Sequence, residues 1–402
     1  MKKLIILILV TNVLSFSLFS QIWVQKQEMP GDERHNAVSF SVFEKGYVAL
    51  GYNGSNRLDD FWEYNPANNS WTQKSDFTGL ARSAGISFTT DSVAIIGAGW
   101  NGIQGYFDIY AYNPISDVWT PKASYPGAAA RNCLATSVQG KGYVGGGDAL
   151  TPPYKEDFWE YDPSSDSWVQ KSNFPFGPRV AGIAFGIDDI AYFGLGHDGS
   201  VDYNDLWAYN PSTDQWNQMK SFPGFERLQA SCFVVNGKAI VGGGSRLGSG
   251  SIKLSDYYEY NPKTNDWKPV FSFANGARGN SRGFAVSKSG YICTGVSENG
   301  AEMNDLWEYT PSTVSVNDQN NSVKVTVYPV PNNGILNLQY DTKGSDATFK
   351  LFNSFGQLIL IKGADGTVNH MKIDLHQLAE GNYYYHFIHN NGIVSGKIPV
   401  IK

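Results

Sequence analysis

The sequence is short of charge and of cysteine. Lys, Arg, Asp and Glu make up 17% of its 402 residues, the formal net charge is −6, and no run of Lys or Arg occurs. A chain without a basic stripe gives a phosphate backbone nothing to hold, which disfavours nucleic acid as a partner. The three cysteines, Cys133, Cys232 and Cys293, lie far apart and lack metal-site spacing. They read as buried, inert thiols, and their odd number leaves at least one unpaired. Past the first residues no apolar run is long enough to span a membrane. The start itself reads as a secretory signal peptide over residues 1–20: Lys2-Lys3, an apolar run, then Ser15 to Ser20, with cleavage expected after Ser20. No cysteine follows the cut, which disfavours a lipoprotein anchor.

Aromatics are abundant, at 14%, and they are periodic. DDFWEYNPANNSW (59–71) recurs as DIYAYNPISDVW (108–119), DFWEYDPSSDSW (157–168), DLWAYNPSTDQW (205–216) and DYYEYNPKTNDW (256–267). A sixth copy, DLWEYTPST (305–313), ends before its Trp. A fixed period of about 50 residues marks a solenoid, propeller or array. Within one copy, residues 61–64 are strand-like, Asn65-Pro66 opens a type I turn, and Trp71 lies on the returning strand. A second hairpin precedes it, over residues 36–51. Four short antiparallel strands per copy make a sheet unit.

The ends of the chain bear on how six such sheets are arranged. The stretch Gln21-Ile22-Trp23-Val24-Gln25 supplies the Trp strand that the sixth copy lacks, because Trp23 precedes Arg34 by the same interval as Trp71 precedes Arg82. The expected fold class is therefore all-β: a six-bladed β-propeller closed by its N-terminal strand, which leaves no open edge. The Gly turn, the Asp-aromatic-x-x-Tyr-Asn-Pro segment and the Trp resemble the kelch repeat across residues 21–311. The family's paired glycines stand as Leu50-Gly51, Ala98-Gly99, Gly146-Gly147, Leu195-Gly196, Gly243-Gly244 and Thr294-Gly295. Only the second glycine is invariant within the chain, a departure that suggests a divergent branch.

After Pro311 the repeat stops. Residues 312–324 read as a Ser/Asn/Asp-rich linker. Residues 325–402 read as a small C-terminal β-sandwich of seven strand-like runs. YPVPNNG, LFNSFGQLI, IDLHQLAEGNYYY and GKIPVIK resemble, in order, the four motifs of the type A C-terminal sorting domain of the type IX (Por) secretion system. The resemblance implies engagement of the type IX machinery through residues 325–402, export across the outer membrane, and release or attachment at the cell surface. The four histidines of this region show no convergent spacing.

A propeller binds ligands where loops converge at its channel mouth. One loop type carries a periodic arginine: Arg34, Arg82, Arg131, Arg179, Arg227 and Arg278. These form either a positive mouth, whose planar forks suit carboxylate, phosphate or sugar hydroxyls, or a structural set that bonds carbonyls between blades. The repeated Asp60 position is expected to cap its loop through backbone N–H groups. The second loop type varies in length, and variable loops on a rigid scaffold carry function. Its candidates are Asn53, Arg57, Trp100, Asn101, His197, Asp198, Arg246 and Glu298, with Trp100 a possible platform for a sugar ring.

The leading expectation is a binding or adhesion protein for an extracellular glycan or protein, without metal or cofactor. The alternative is an enzyme acting on sugars, since the kelch resemblance extends to copper galactose oxidases and sialic-acid mutarotases or epimerases. Copper needs clustered His and Tyr ligands, and the propeller offers only His35 and His197. A mutarotase needs an acid/base and an arginine, for which Glu226 beside Arg227, Glu33 beside Arg34, and Glu298 are candidates. A third reading is a surface-coat protein with no small ligand.

Overall fold

The computed structural model describes residues 23–90, 93–149, 153–247, 252–270, 273, 275–311, 325–329, 332, 334–342, 344–353, 358–389 and 392–400. The signal-peptide segment (1–20) and the linker (312–324) lie outside the described residues. Among the described residues there is no helix.

Six four-stranded antiparallel sheets make up the repeat region. The first holds Val38–Val42, Lys45–Ala49, Phe61–Asn65 and Ser70–Gln73 in sequence order. The next four begin with the inner strands Ile86–Thr89, Leu134–Val138, Ile183–Ile187 and Ser231–Val235 and follow the same order. The sixth combines Arg282–Val286, Ser289–Cys293 and Leu306–Tyr309 with the N-terminal strand Trp23–Gln25. Trp23 lies opposite Tyr309 as Trp71 lies opposite Tyr64. The inner strand of each sheet packs on that of the next, and that of the sixth packs on that of the first. Ser39 Oγ donates to the Gly283 carbonyl across this last seam, at 3.0 Å.

The chemistry of the repeated motif is now explicit. Asn65 Oδ1 accepts the Ala67 N–H and closes the turn. Asn69, two residues before the Trp, has φ of 52°, a left-handed position that Asn and Asp tolerate better than most residues. Asp117, Asp166, Asp214 and Asn265 hold the same place with φ near 50°. The Asn69 carboxamide oxygen accepts from the Tyr64 hydroxyl at 2.9 Å and from the Gln27 N–H at 2.9 Å. The Trp71 indole then donates to the Gln27 carbonyl at 2.8 Å. One Asx residue, one Tyr and one Trp thus tie each outer strand to the blade before it. The pattern recurs at Trp119, Trp168, Trp216 and Trp267. The rings also fill the core: Tyr64, Tyr112, Tyr161, Tyr209 and Tyr260 are fully buried. Each buried ring contributes about 4–6 kcal/mol of transfer energy as an upper bound.

The glycine pattern has a steric cause. Both positions of each pair are left-handed, and in every blade a Cβ at the second would lie within 3.1 Å of a backbone carbonyl oxygen, whereas at the first only Gly146 is so placed. A Cβ on Gly196 would lie 2.5 Å from the Val180 carbonyl oxygen, and one on Gly244 would lie 2.6 Å from that of Leu228. Its N–H donates to the next blade, as Gly51 does to the Arg82 carbonyl at 2.9 Å. The first position faces no such obstacle at Leu50 (φ 61°) or Thr294 (φ 59°), which explains why it varies.

The C-terminal region is a seven-stranded sandwich. A three-stranded sheet holds Val325–Tyr328, Ile335–Tyr340 and His370–Asp374. A four-stranded sheet orders Leu358–Ala364, Ala347–Phe352, Gly381–His389 and Gly392–Val400. Leu336, Leu338 and Ile373 of one sheet share a core with Phe349, Leu351, Phe387 and Ile398 of the other.

Candidate functional site

The two loop types meet at one end of the propeller. Short bridges join them pairwise: His35 with Tyr52, Ser83 with Trp100, Arg131 with Asp148, Val180 with His197, and Leu228 with Ser245. Inside this collar, a channel cavity of about 430 Å³ is lined by the inner strands of all six sheets.

Five of the six periodic arginines take no part in that mouth. Arg34, Arg82, Arg179, Arg227 and Arg278 are 0% exposed. Each guanidinium grips the aspartate of its own blade with two hydrogen bonds. Arg82 binds Asp108 at 2.5 and 2.9 Å, Arg227 binds Asp256 at 2.8 and 2.8 Å, and Arg278 binds Asp305 at 2.7 and 2.7 Å. Arg34 and Arg179 clamp Asp60 and Asp205 in the same way. Each also donates to a loop carbonyl, as Arg227 does to Gly243 at 3.0 Å. The arginines therefore lock blades, and the Asp60-type carboxylates accept guanidinium and indole N–H groups rather than capping loops through the backbone. Trp62 and Trp307 donate to Asp60 and Asp305 at 2.6 and 2.7 Å.

Blade three breaks the pattern. Its link from Trp119 to the inner strand is as long as the others, but Ala130 rather than an arginine occupies the clamp position, and Arg131 stands one place later. The Ala130 carbonyl receives the Gly99 N–H, as the Arg82 carbonyl receives that of Gly51. Asp157 is left with the Trp159 indole and the Ala128 N–H. Its Oδ1 and the Tyr125 hydroxyl are buried without a hydrogen-bond partner among the described residues. Arg131 is displaced onto the mouth. There it bonds Asp148 at 2.7 Å, and its guanidinium lies 4.9 Å from the Trp100 ring centre. The same blade's variable loop sets Tyr154 beside His197 of the next blade, with ring centres 6.3 Å apart.

Several loop candidates hold the loops themselves. Asn53, Asn101 and Asp198 stand at one equivalent position, and each side-chain oxygen accepts two backbone N–H groups of its own turn. Those bonds and the Tyr203 hydroxyl hold the Asp198 carboxyl at about 2, against the opposing effect of burial. His197 Nδ1 meets Asp202 at 2.9 Å. Arg57 stacks on Tyr52 at 4.1 Å, and Arg246 on Phe225 at 4.9 Å. Glu226 is 3.9 Å from Arg246 and does not face Arg227, whose guanidinium is buried on Asp256. Glu298 and Glu33 are exposed. His35 meets Glu302 at 3.3 Å, remote in the chain from His197. Among the described residues, no three His, Cys, Asp or Glu side chains gather as a metal site would need. Burial pushes the thiols up, Cys232 to about 11 and Cys293 to about 12, which leaves them protonated and unreactive at neutral pH.

Two cations at the mouth escaped sequence reading. Lys253 lies in the longest variable loop, and its Nζ donates to Ser245 Oγ at 3.0 Å. Arg282 begins the sixth inner strand and lines the channel. Aligning the repeats gives the missing signal: the other blades carry Val38, Ile86, Leu134, Ile183 and Ser231 there.

Comparison with known proteins follows this geometry. Residues 47–78 and 196–223 match the Kelch motif, and residues 326–402 match the secretion system C-terminal sorting domain. No curated protein matches the chain. Among solved structures 374 chains match it, one of them the structure of YjhT at 16% identity and a TM-score of 0.61, over 71% of this chain and 97% of that one. At that identity the likeness shows the fold. The chain is thus a Kelch-motif propeller joined to a C-terminal sorting domain, which marks it for type IX secretion to the cell surface or extracellular space.

Proposed function

We propose that this is a secreted or surface-attached binding protein that recognises an extracellular glycan or protein at the channel mouth. The leader of residues 1–20 takes it across the inner membrane. The domain of residues 325–402 then engages the type IX machinery, and the propeller of residues 21–311 carries the ligand site. The observation that supports the site is the broken symmetry of blade three. Arginine is spent on structure in five blades, whereas Arg131 lies at the mouth beside Trp100 and Asp148. An aromatic face beside a forked cation held by a carboxylate is the chemistry that sugar rings and their hydroxyls favour.

A glycan array tests this, with the leaderless chain probed beside Trp100→Ala and Arg131→Ala variants. Selective binding lost in both variants supports the reading. An array left blank by folded protein removes the glycan ligand and leaves a protein partner, to be tested by crosslinking at position 103, an exposed loop tip (Ile103) on the same face.

A further inference from the structure

The cations on the opposite side of the mouth lack counter-charges. Arg282 gives one hydrogen bond, from Nε to the Ala37 carbonyl. Neither it nor Lys253 forms an ion pair with any described carboxylate, and the undescribed residues beside Lys253 (248–251) contain none. Every other propeller arginine described here is paired with an aspartate or glutamate, except Arg57, which stacks on Tyr52.

The two cations converge. Lys253 Nζ lies over Gly279, 3.4 Å from where a Cβ there would be, so the missing side chain makes room for it. Arg282 follows three residues later and lines the channel with Ser281. His35 completes the surround. Burial lowers its pKa, Lys253 and Arg282 lower it further, and Glu302 pulls the other way. The titratable groups around Arg282 are therefore His35, Lys253 and Glu302, with the Cys232 and Cys293 thiols behind it.

A partly desolvated guanidinium that lines the channel and an ammonium near it, both without an ion-pair partner among the described residues, call for an anion. The free end of a guanidinium presents two parallel N–H donors, which match a carboxylate. We infer that the seam of blades five, six and one is a carboxylate-binding subsite, in which Arg282 and Lys253 hold the anionic end of the ligand. This rests on the reading that the mouth binds a ligand. The same chemistry fits a uronic acid or the C-terminus of a peptide.

Calorimetric titration of the leaderless chain separates these. The probes are glucuronate with glucose as its neutral twin, and Ala-Ala with its C-terminal amide. At least one acid is expected to bind tenfold or more tightly than its neutral twin. That preference should be lost in both Arg282→Met and Lys253→Met, with thermal midpoints showing that the variants fold. The acid preferred identifies the source of the carboxylate. Equal binding of acid and twin, a preference that survives in the Lys253 variant, or no binding of either acid at millimolar concentration overturns the subsite. A neutral ligand that is lost with Trp100→Ala but indifferent to both methionine variants would sink this inference and leave the mouth reading standing.

Discussion

Arg131 bonds Asp148 at 2.7 Å, its bridge partner in the collar of the channel mouth, instead of Asp157, the aspartate its repeat position led one to expect. With Ala130 at the clamp position and the arginine one place later in a link of unchanged length, a residue type that is structural in five blades becomes solvent-accessible in the third. The same residue type thus has two costs of removal in one protein.

Arg82→Ala is expected to destabilise the propeller by about 3–5 kcal/mol, because it leaves the Asp108 carboxylate partly buried without its partner. Arg131 is 28% exposed in its side chain while its partner Asp148 is buried, and Arg131→Ala is expected to cost about 1–3 kcal/mol, less than Arg82→Ala. Urea unfolding of the two variants checks the difference.

Blade three can be repaired. Ala130→Arg combined with Tyr125→Phe recreates the residues that the other blades place around their aspartates, and gives Asp157 a guanidinium. An increase of about 1–3 kcal/mol over wild type is expected, since a buried acceptor gains its partner and an orphan hydroxyl is removed. A thermal midpoint at or below that of wild type would show that the blade-three backbone no longer admits the clamp.

Trp23 packs edge-on against Phe233, Tyr257 and Phe273, at centroid distances of 6.3, 5.3 and 5.0 Å. Trp23→Ala should therefore cost about 3–5 kcal/mol, like other truncations of buried aromatic rings. It should also expose the edge of Leu306–Tyr309 and promote self-association. Denaturation and light scattering measure the two effects.

Acid should loosen blade six. Arg278, the Trp307 indole and Asn275 hold the Asp305 carboxyl below its usual 3.8, outweighing its burial. A carboxyl lowered on folding contributes stability that is present above its unfolded pKa and is lost as pH falls through the folded value. Stability should therefore decline below about pH 4. Asp305→Asn should be less stable at neutral pH and show a shallower acid limb, as read from chemical unfolding at a series of pH values.

The sequence made the architecture legible because each repeat demands the same chemistry. Tyr64, Asn69 and Trp71 serve one hydrogen-bond relay, so their spacing cannot drift. Gly51 and its equivalents face a carbonyl that no Cβ can approach. The site was less legible. Periodicity grouped Arg131 with five clamps, and only the backbone pairing showed that Ala130 holds their place. Asn53, Asn101 and Asp198 suggested ligand contacts, yet their oxygens are occupied by their own turns. Arg282 looked like an ordinary strand residue until its blade was superposed on the others, because a channel-lining charge is marked by three-dimensional neighbours and not by local pattern.

The most direct test of the account measures ligand binding and thermal midpoint together for Arg131→Ala and Arg82→Ala, with whichever ligand the array identifies. The account predicts that Arg131→Ala loses binding at least tenfold with a smaller fall in midpoint than Arg82→Ala, which melts earlier and, where folded, still binds. Unchanged binding by Arg131→Ala, or a midpoint lowered as far as that of Arg82→Ala, would contradict the assignment of the displaced arginine to the site.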